Sequence, residues 1–93
     1  MATKTTPRTE ILTTLEQSSM WKRDRWGHFQ HNNGTFQYRL KVQDLTLRFE
    51  KQITLSDGKR EWLNLASDYY RNIRLGEREG KPVLRIGNWV LSL

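Results

Sequence analysis

Basic and aromatic residues are concentrated in one segment of the sequence, from Met20 to Lys41. This segment holds five cationic side chains and a single acid, Asp24, and so supplies four of the six net positive charges of the 93-residue chain. It also holds half of the ten aromatic residues. Cations bind phosphates and release counterions, while flat rings stack on unpaired bases, so this combination is typical of proteins that bind single-stranded nucleic acid.

We predict a nucleic-acid-binding surface from this segment and from the strand that follows it. Arg48 is included because Arg39 and Arg48 lie on the polar faces of two predicted strands and would face solvent together if those strands pair. The predicted binding residues are Trp21, Lys22, Arg23, Arg25, Trp26, Arg39, Lys41 and Arg48. Their expected target is single-stranded or structured nucleic acid.

A different function fits the same composition, namely a small adaptor or accessory subunit with no nucleic-acid role. A net positive charge keeps a small protein soluble without any polyanionic partner. Exposed edge strands would then bind a strand of a protein partner or of a second copy of the chain. The aromatic side chains are also needed for a core in so small a protein. On this ground we expect burial of Phe36, Tyr38, Phe49, Trp62 and Trp89.

No arrangement of residues indicates catalysis or a bound cofactor. His28 and His31 are three residues apart, which on a strand directs them to opposite faces and separates them as metal ligands. The chain contains no cysteine, no glycine-rich phosphate-binding loop and no nucleophile motif. The Glu77-Arg78-Glu79 cluster is typical of a solvated loop. We therefore expect a binding protein that is not an enzyme, with no catalytic residues, no cofactor and no metal.

A short helix is the first element that the sequence predicts. Thr6 is a suitable N-cap, and Pro7 fits the first helical position because its missing N–H would have no partner there. Ile11 and Leu15 belong to a narrow apolar stripe, and Ser18-Ser19 ends the helix. A helix this short must dock on a larger element. Residues 1–5 have nothing to bury, and we expect a disordered tail there.

Alternation of apolar and polar residues predicts strands from Trp21 onward. The clearest two run from Phe36 to Val42 and from Leu45 to Leu55. Asn33-Gly34 and Asp57-Gly58 predict hairpin turns, because asparagine, aspartate and glycine tolerate a positive φ. The predicted strands cover residues 26–31, 36–42, 45–55, 60–66, 73–75, 83–86 and 89–93.

The stretch from Trp62 to Ile73 fits two structures. Its apolar and aromatic residues have helical spacing, whereas the alternation of leucines beside a turn is typical of a strand. We favour a strand to Ala66 followed by a single helical turn capped by Ser67-Asp68, because the preceding Asp57-Gly58 turn favours a hairpin return.

Length and pattern together predict a single small β-rich domain over residues 6–93. The expected class is α+β, mostly β, with one short N-terminal helix followed by a five- to seven-stranded, largely antiparallel meandering sheet. The sheet could be flat or curled into a small open barrel. No window of 18 apolar residues occurs, so we expect no membrane span and no membrane partner. The missing cysteines and the lack of an apolar signal-peptide core favour the cytoplasm.

Overall fold

A computed structural model describes residues 6–93, so the predicted tail at residues 1–5 lies outside the described residues. Helix α1 spans Pro7–Glu16 and begins as predicted. The Thr6 hydroxyl oxygen accepts a hydrogen bond from the backbone N–H of Thr9 at 3.1 Å, and proline occupies the first turn. Ile11 and Leu15 are buried, which docks the helix on the rest of the protein.

Eight strands follow the helix. Their bounds are β1 (Lys22–Arg23), β2 (Phe29–Asn32), β3 (Gln37–Val42), β4 (Thr46–Thr54), β5 (Arg60–Tyr69), β6 (Arg74–Arg78), β7 (Lys81–Ile86) and β8 (Trp89–Ser92). All pairings are antiparallel. The predicted class, α+β and mostly β, is confirmed. The predicted turns are also present, with Gly34 and Gly58 at φ values of 91° and 86°.

The strands form two open sheets, whereas the sequence predicted one. Strands β1 to β5 form a five-stranded sheet in sequential order, and β6 to β8 form a three-stranded sheet. A 3₁₀ turn at Tyr70–Asn72 separates them. The backbone N–H of Tyr70 donates to the carbonyl oxygen of Leu45, and its hydroxyl donates to that of Gln43 at 2.8 Å. These two bonds hold Tyr70 against the β3–β4 connection, so the chain leaves the first sheet at this point.

Strand β5 is longer than predicted. It continues to Tyr69, which pairs with Thr46, because β4 offers backbone partners along its whole length. A β-bulge between Phe49 and Glu50 absorbs the change of register. The strand therefore ends three residues later than predicted and the helical turn begins at Tyr70, so Ser67-Asp68 as its N-cap was wrong.

A single core cluster joins the helix to both sheets. Phe29, Leu40 and Phe49 are buried on one face of the five-stranded sheet, which we call the inner face. The full cluster comprises Ile11, Leu15, Trp21, Phe29, Leu40, Leu47, Phe49, Tyr70, Ile73, Leu84, Ile86 and Leu91. No helix within residues 6–93 is long and apolar enough to cross a membrane.

Three aromatic residues that we expected in the core lie outside it. Phe36 is 42% exposed because it precedes β3 at the end of a hairpin, and Trp89 is 41% exposed at the start of edge strand β8. Trp62 is only half-buried and lies on the face of the five-stranded sheet opposite the inner face. Phe49 is buried as predicted, and the half-buried Tyr38 packs against the cluster.

Candidate nucleic-acid interface

Four of the predicted binding residues share the face of the five-stranded sheet that points away from the core. We call this the outer face. Strand register assigns to it Lys22, Gln30, Asn32, Gln37, Arg39, Lys41, Thr46, Arg48, Glu50, Gln52, Thr54, Arg60, Trp62, Asn64, Ser67 and Tyr69. The predicted residues among them are Lys22, Arg39, Lys41 and Arg48. Alternation along β3 and β4 therefore placed three of these four cations on one face from sequence alone.

Cations outnumber acids on the outer face. Five of its strand residues are basic and a single one, Glu50, is acidic. Lys41 lies directly opposite Arg48, and like charges in directly opposed positions destabilise a sheet. Among residues 6–93, neither Lys22 nor Lys41 forms an ion pair. The outer face therefore carries a formal excess of four positive charges.

Glu50 is held between two arginines beneath the surface of the outer face. It is 3% exposed, and its Oε1 accepts a hydrogen bond from Arg39 Nε at 2.8 Å and forms an ion pair with a terminal nitrogen of Arg39 at the same distance. A terminal nitrogen of Arg48 lies 3.8 Å from Oε2. The Arg39 guanidinium also stacks over the Trp62 ring at 4.3 Å from its centroid. Glu50 thus fixes Arg39 in place, and Arg39 and Trp62 together form a flat cationic and aromatic platform.

Side-chain amides continue the outer face toward β1. Gln37 donates to the side-chain oxygen of Gln30, and Gln30 donates to Oδ2 of Asp24 at 2.9 Å. The other oxygen of Asp24 accepts from the backbone N–H groups of Trp26 and His28 at 2.9 and 3.0 Å. Desolvation alone would raise the pKa of Asp24, but these hydrogen bonds outweigh it and hold the pKa below its ordinary value. Asp24 therefore ties the β1–β2 turn to the outer face.

Arg25 and Trp26 lie in that turn and not at a strand position of the outer face. Trp26 is 65% exposed, and the Arg25 guanidinium lies 4.3 Å from its ring centroid. Gly27 follows with a φ of 83°, a conformation that glycine adopts without strain. The pair presents one exposed ring and one cation beside the edge of the sheet.

Trp21 and Arg23 point to the other side of the sheet. Trp21 is 4% exposed, and its indole N–H donates to the carbonyl oxygen of Ser92 at 2.9 Å. Arg23 forms an ion pair with Glu16 of the helix and lies over the Phe29 ring. The structure therefore does not bring these two residues together with the other predicted ones, and it uses them to fasten β1 to the helix and to β8.

The two histidines make separate contacts with the backbone. Nδ1 of His28 accepts a hydrogen bond from the backbone N–H of Val42 at 3.0 Å. Nδ1 of His31 lies 3.1 Å from the carbonyl oxygen of Met20, which can only accept, so this nitrogen carries the proton. No group of three or more histidine, aspartate or glutamate residues in the described part of the chain is placed to hold a metal ion.

Sequence reasoning missed Arg60 and Trp62 as outer-face residues. The alternation from Arg60 to Asn64 carries a signal for them, because these positions share one face of a strand. Their relation to Arg39 depends on the pairing of β4 with β5, which shifts at the bulge after Phe49. No known protein family, curated protein or solved structure matches this chain.

Proposed function

We propose that the protein binds single-stranded or structured nucleic acid through the outer face of its five-stranded sheet. The observation that carries this proposal is the net charge of +4 on the outer face, where five basic residues meet a single carboxylate. That carboxylate, Glu50, is already bound by arginine. Solubility requires only that charges be dispersed over the surface. The direct opposition of Lys41 and Arg48 has a cost in stability, as has that of Arg78 and Lys81 in the β6–β7 hairpin, and on the outer face a bound phosphate would relieve it.

The remaining groups of the outer face suit the same ligand. The side-chain amides of Gln30, Gln37 and Gln52 can donate hydrogen bonds to phosphate oxygens. They can also donate hydrogen bonds to base edges and accept hydrogen bonds from them. The platform of Arg39 and Trp62 offers a flat surface for stacking. Several nucleic-acid-binding modules bind single strands through a sheet that combines a cationic face with stacking surfaces.

The charge excess predicts how steeply binding depends on salt. Neutralising about four phosphates of a single strand gives a slope of about −2.8 in log affinity against log salt. The affinity is then expected to fall by about 50-fold between about 50 and 200 mM salt.

Fluorescence anisotropy with a labelled single strand of about 15 nucleotides tests this function. The double variant Lys22→Glu and Lys41→Glu removes the charge excess, because each substitution changes the charge by two, and we expect it to abolish binding at low salt. The matched control is Arg78→Glu with Lys81→Glu, which changes the net charge equally at the β6–β7 hairpin. Failure of the unmodified protein to bind at low salt, or equal loss of binding in both variants, would overturn the proposal.

Protein interaction through a sheet edge is the second candidate function. Strand β5 has ten residues and lies at the edge of the five-stranded sheet, where its outward backbone groups can pair with an added strand. Light scattering distinguishes self-association from a monomer. A dimer that dissociates when Asn64→Pro is introduced into β5 would favour this candidate, and an unchanged monomeric mass would count against self-association.

A further inference from the structure

An aromatic groove lies between the two sheets on the inner side of the protein. It has a volume of about 250 Å³, and its walls include Tyr38, Phe49, Trp89 and Val90. The Tyr38 ring stacks on Phe49 at 5.4 Å between centroids, and Trp89 meets Phe49 edge-on at 5.3 Å. Trp89 and Val90 are both exposed, so one wall of apolar and aromatic surface is open to solvent. This volume lies just below the range of about 300–1,000 Å³ for drug-sized ligands and suits a single flat ring.

The groove adjoins a second cavity that reaches outer-face residues of β1, β2 and β3. This second cavity, of about 550 Å³, shares Met20 and His31 with the groove. Its remaining wall includes Lys22, Gln30 and Gln37, which are outer-face residues. The two cavities adjoin at Met20 and His31, so a strand on the outer face reaches the aromatic groove by passing over this hydrogen-bonded pair.

The charges along this path favour an anionic ligand. None of the residues lining the two cavities is acidic, and Lys22 stands at the end nearest the outer face. At the groove, Lys51 lies directly opposite Tyr38, and its ammonium is 3.7 Å from the centroid of the neighbouring Phe36 ring. Since Nδ1 of His31 donates to a backbone carbonyl, Nε2 is the ring nitrogen left to meet the polar edge of a base.

We infer that the aromatic groove takes one unpaired base of a single strand whose phosphates lie on the outer face. This inference rests on the proposed function and adds the ligand class: a strand that can turn one base away from its neighbours, and not a duplex. Bases of a duplex are stacked and paired, so that their ring faces cannot enter a groove between two sheets. Lys22 lines the second cavity, so the phosphate on that side of the inserted base meets positive charge.

Three probes of equal length separate base binding from phosphate binding: a thymidine oligonucleotide, an abasic deoxyribose-phosphate strand and a duplex. Stacking of one base is expected to favour the thymidine strand over the abasic strand by about tenfold. Trp89→Leu should lower this preference by about tenfold, to what stacking on the Arg39–Trp62 platform contributes, and should leave the affinity for the abasic strand unchanged. The control is Leu45→Ala, which truncates an exposed apolar side chain outside both the groove and the outer face and should keep the preference.

Photocrosslinking gives a second measurement that needs no variant. A 4-thiothymidine strand should crosslink to Met20, Tyr38 or Trp89 in the unmodified protein, as mapped by mass spectrometry. If no probe binds, the proposed function itself fails. Equal binding of thymidine and abasic strands, tighter binding of the duplex, or crosslinks confined to Trp26 or Trp62 would each overturn the base-binding inference while leaving polyanion binding in place.

Discussion

Replacing Lys41 by glutamate is expected to stabilise the protein while it weakens nucleic-acid binding. Lys41 lies directly opposite Arg48 on the outer face, and within residues 6–93 it forms no ion pair. Lys41→Glu converts a repulsive cross-strand pair into an attractive one. Opposite effects on stability and binding are typical of residues retained for function at a cost to the fold.

The size of the stability gain follows from the register. Directly opposed side chains have Cβ atoms about 5 Å apart, which puts the two charges at about 6 Å. Like charges at that distance in water repel by about 0.7 kcal/mol, which about 0.1 M salt lowers to about 0.4 kcal/mol. The effects of Arg39 and Glu50 on Lys41 nearly cancel, because these two opposite charges lie at comparable distances. Reversing the sign of the charge at residue 41 therefore raises the free energy of unfolding by about 0.8 kcal/mol.

Thermal unfolding followed by circular dichroism measures this gain. About 0.8 kcal/mol corresponds to a rise in Tm of about 3–6 °C for a domain of this size. The rise should shrink at about 1 M salt, where the Debye length is about 3 Å. In anisotropy titrations the same variant loses two of the four excess charges, so the salt slope should fall from about −2.8 to about −1.4.

The control for binding is Lys81→Glu, which changes the net charge equally in the three-stranded sheet and should leave the salt slope unchanged. A lower Tm of Lys41→Glu together with weaker binding would refute the reasoning, because it would mean that Lys41 contributes to the fold and is not strained. An unchanged salt slope would show that Lys41 does not meet phosphate.

Three further substitutions test contacts made by the five-stranded sheet and the residues beside its first strand. Asp24→Ala should cost about 1–2 kcal/mol in urea unfolding at neutral pH. Because the pKa of Asp24 is lowered in the folded protein, its contribution to the free energy of unfolding is complete above the ordinary carboxyl pKa of 3.8. This contribution is lost as the pH falls through the folded-state pKa. The free energies of unfolding of the variant and the unmodified protein should therefore converge in acid. Trp21→Phe removes the hydrogen bond to Ser92 and should cost about 1–3 kcal/mol by the same measurement, whereas an unchanged midpoint would contradict its anchoring role. Glu50→Gln should lower stability by about 1–3 kcal/mol, because Arg39 loses its charged partner. The same variant should make the salt slope of binding steeper by about 0.7, and a shallower slope would contradict the charge argument.

Local pattern accounts for much of the fold. The Thr6 cap, the two glycine turns and the alternation of β3 and β4 act over a few residues, and the structure shows each of them as the sequence predicts. The division into two sheets depends on the contact of Tyr70 with the β3–β4 connection. Such a contact between residues far apart in sequence leaves no periodic signal, which is why the sequence predicted one continuous sheet.

The candidate site was also predicted from the sequence only in part. Alternation assigned Arg39 and Lys41 to one face of β3, and the expected pairing of β3 with β4 added Arg48 to the same face. The sequence did not indicate which of Trp21 and Trp26 is buried and which is exposed, because both have basic neighbours. Trp21 is buried because its indole N–H reaches Ser92, which lies 71 residues away along the chain.

The sequence by itself determined the class of the fold, the polar face of the central strands and the sign of their charge, since all three depend on residue type and a period of two. Only the tertiary structure decided which aromatic rings are exposed, that Arg39 contacts both Glu50 and Trp62, and that an aromatic groove adjoins a cavity of the outer face. Burial of a ring depends on which distant element covers it, and that choice is made when the helix and the second sheet pack on the inner face of the first.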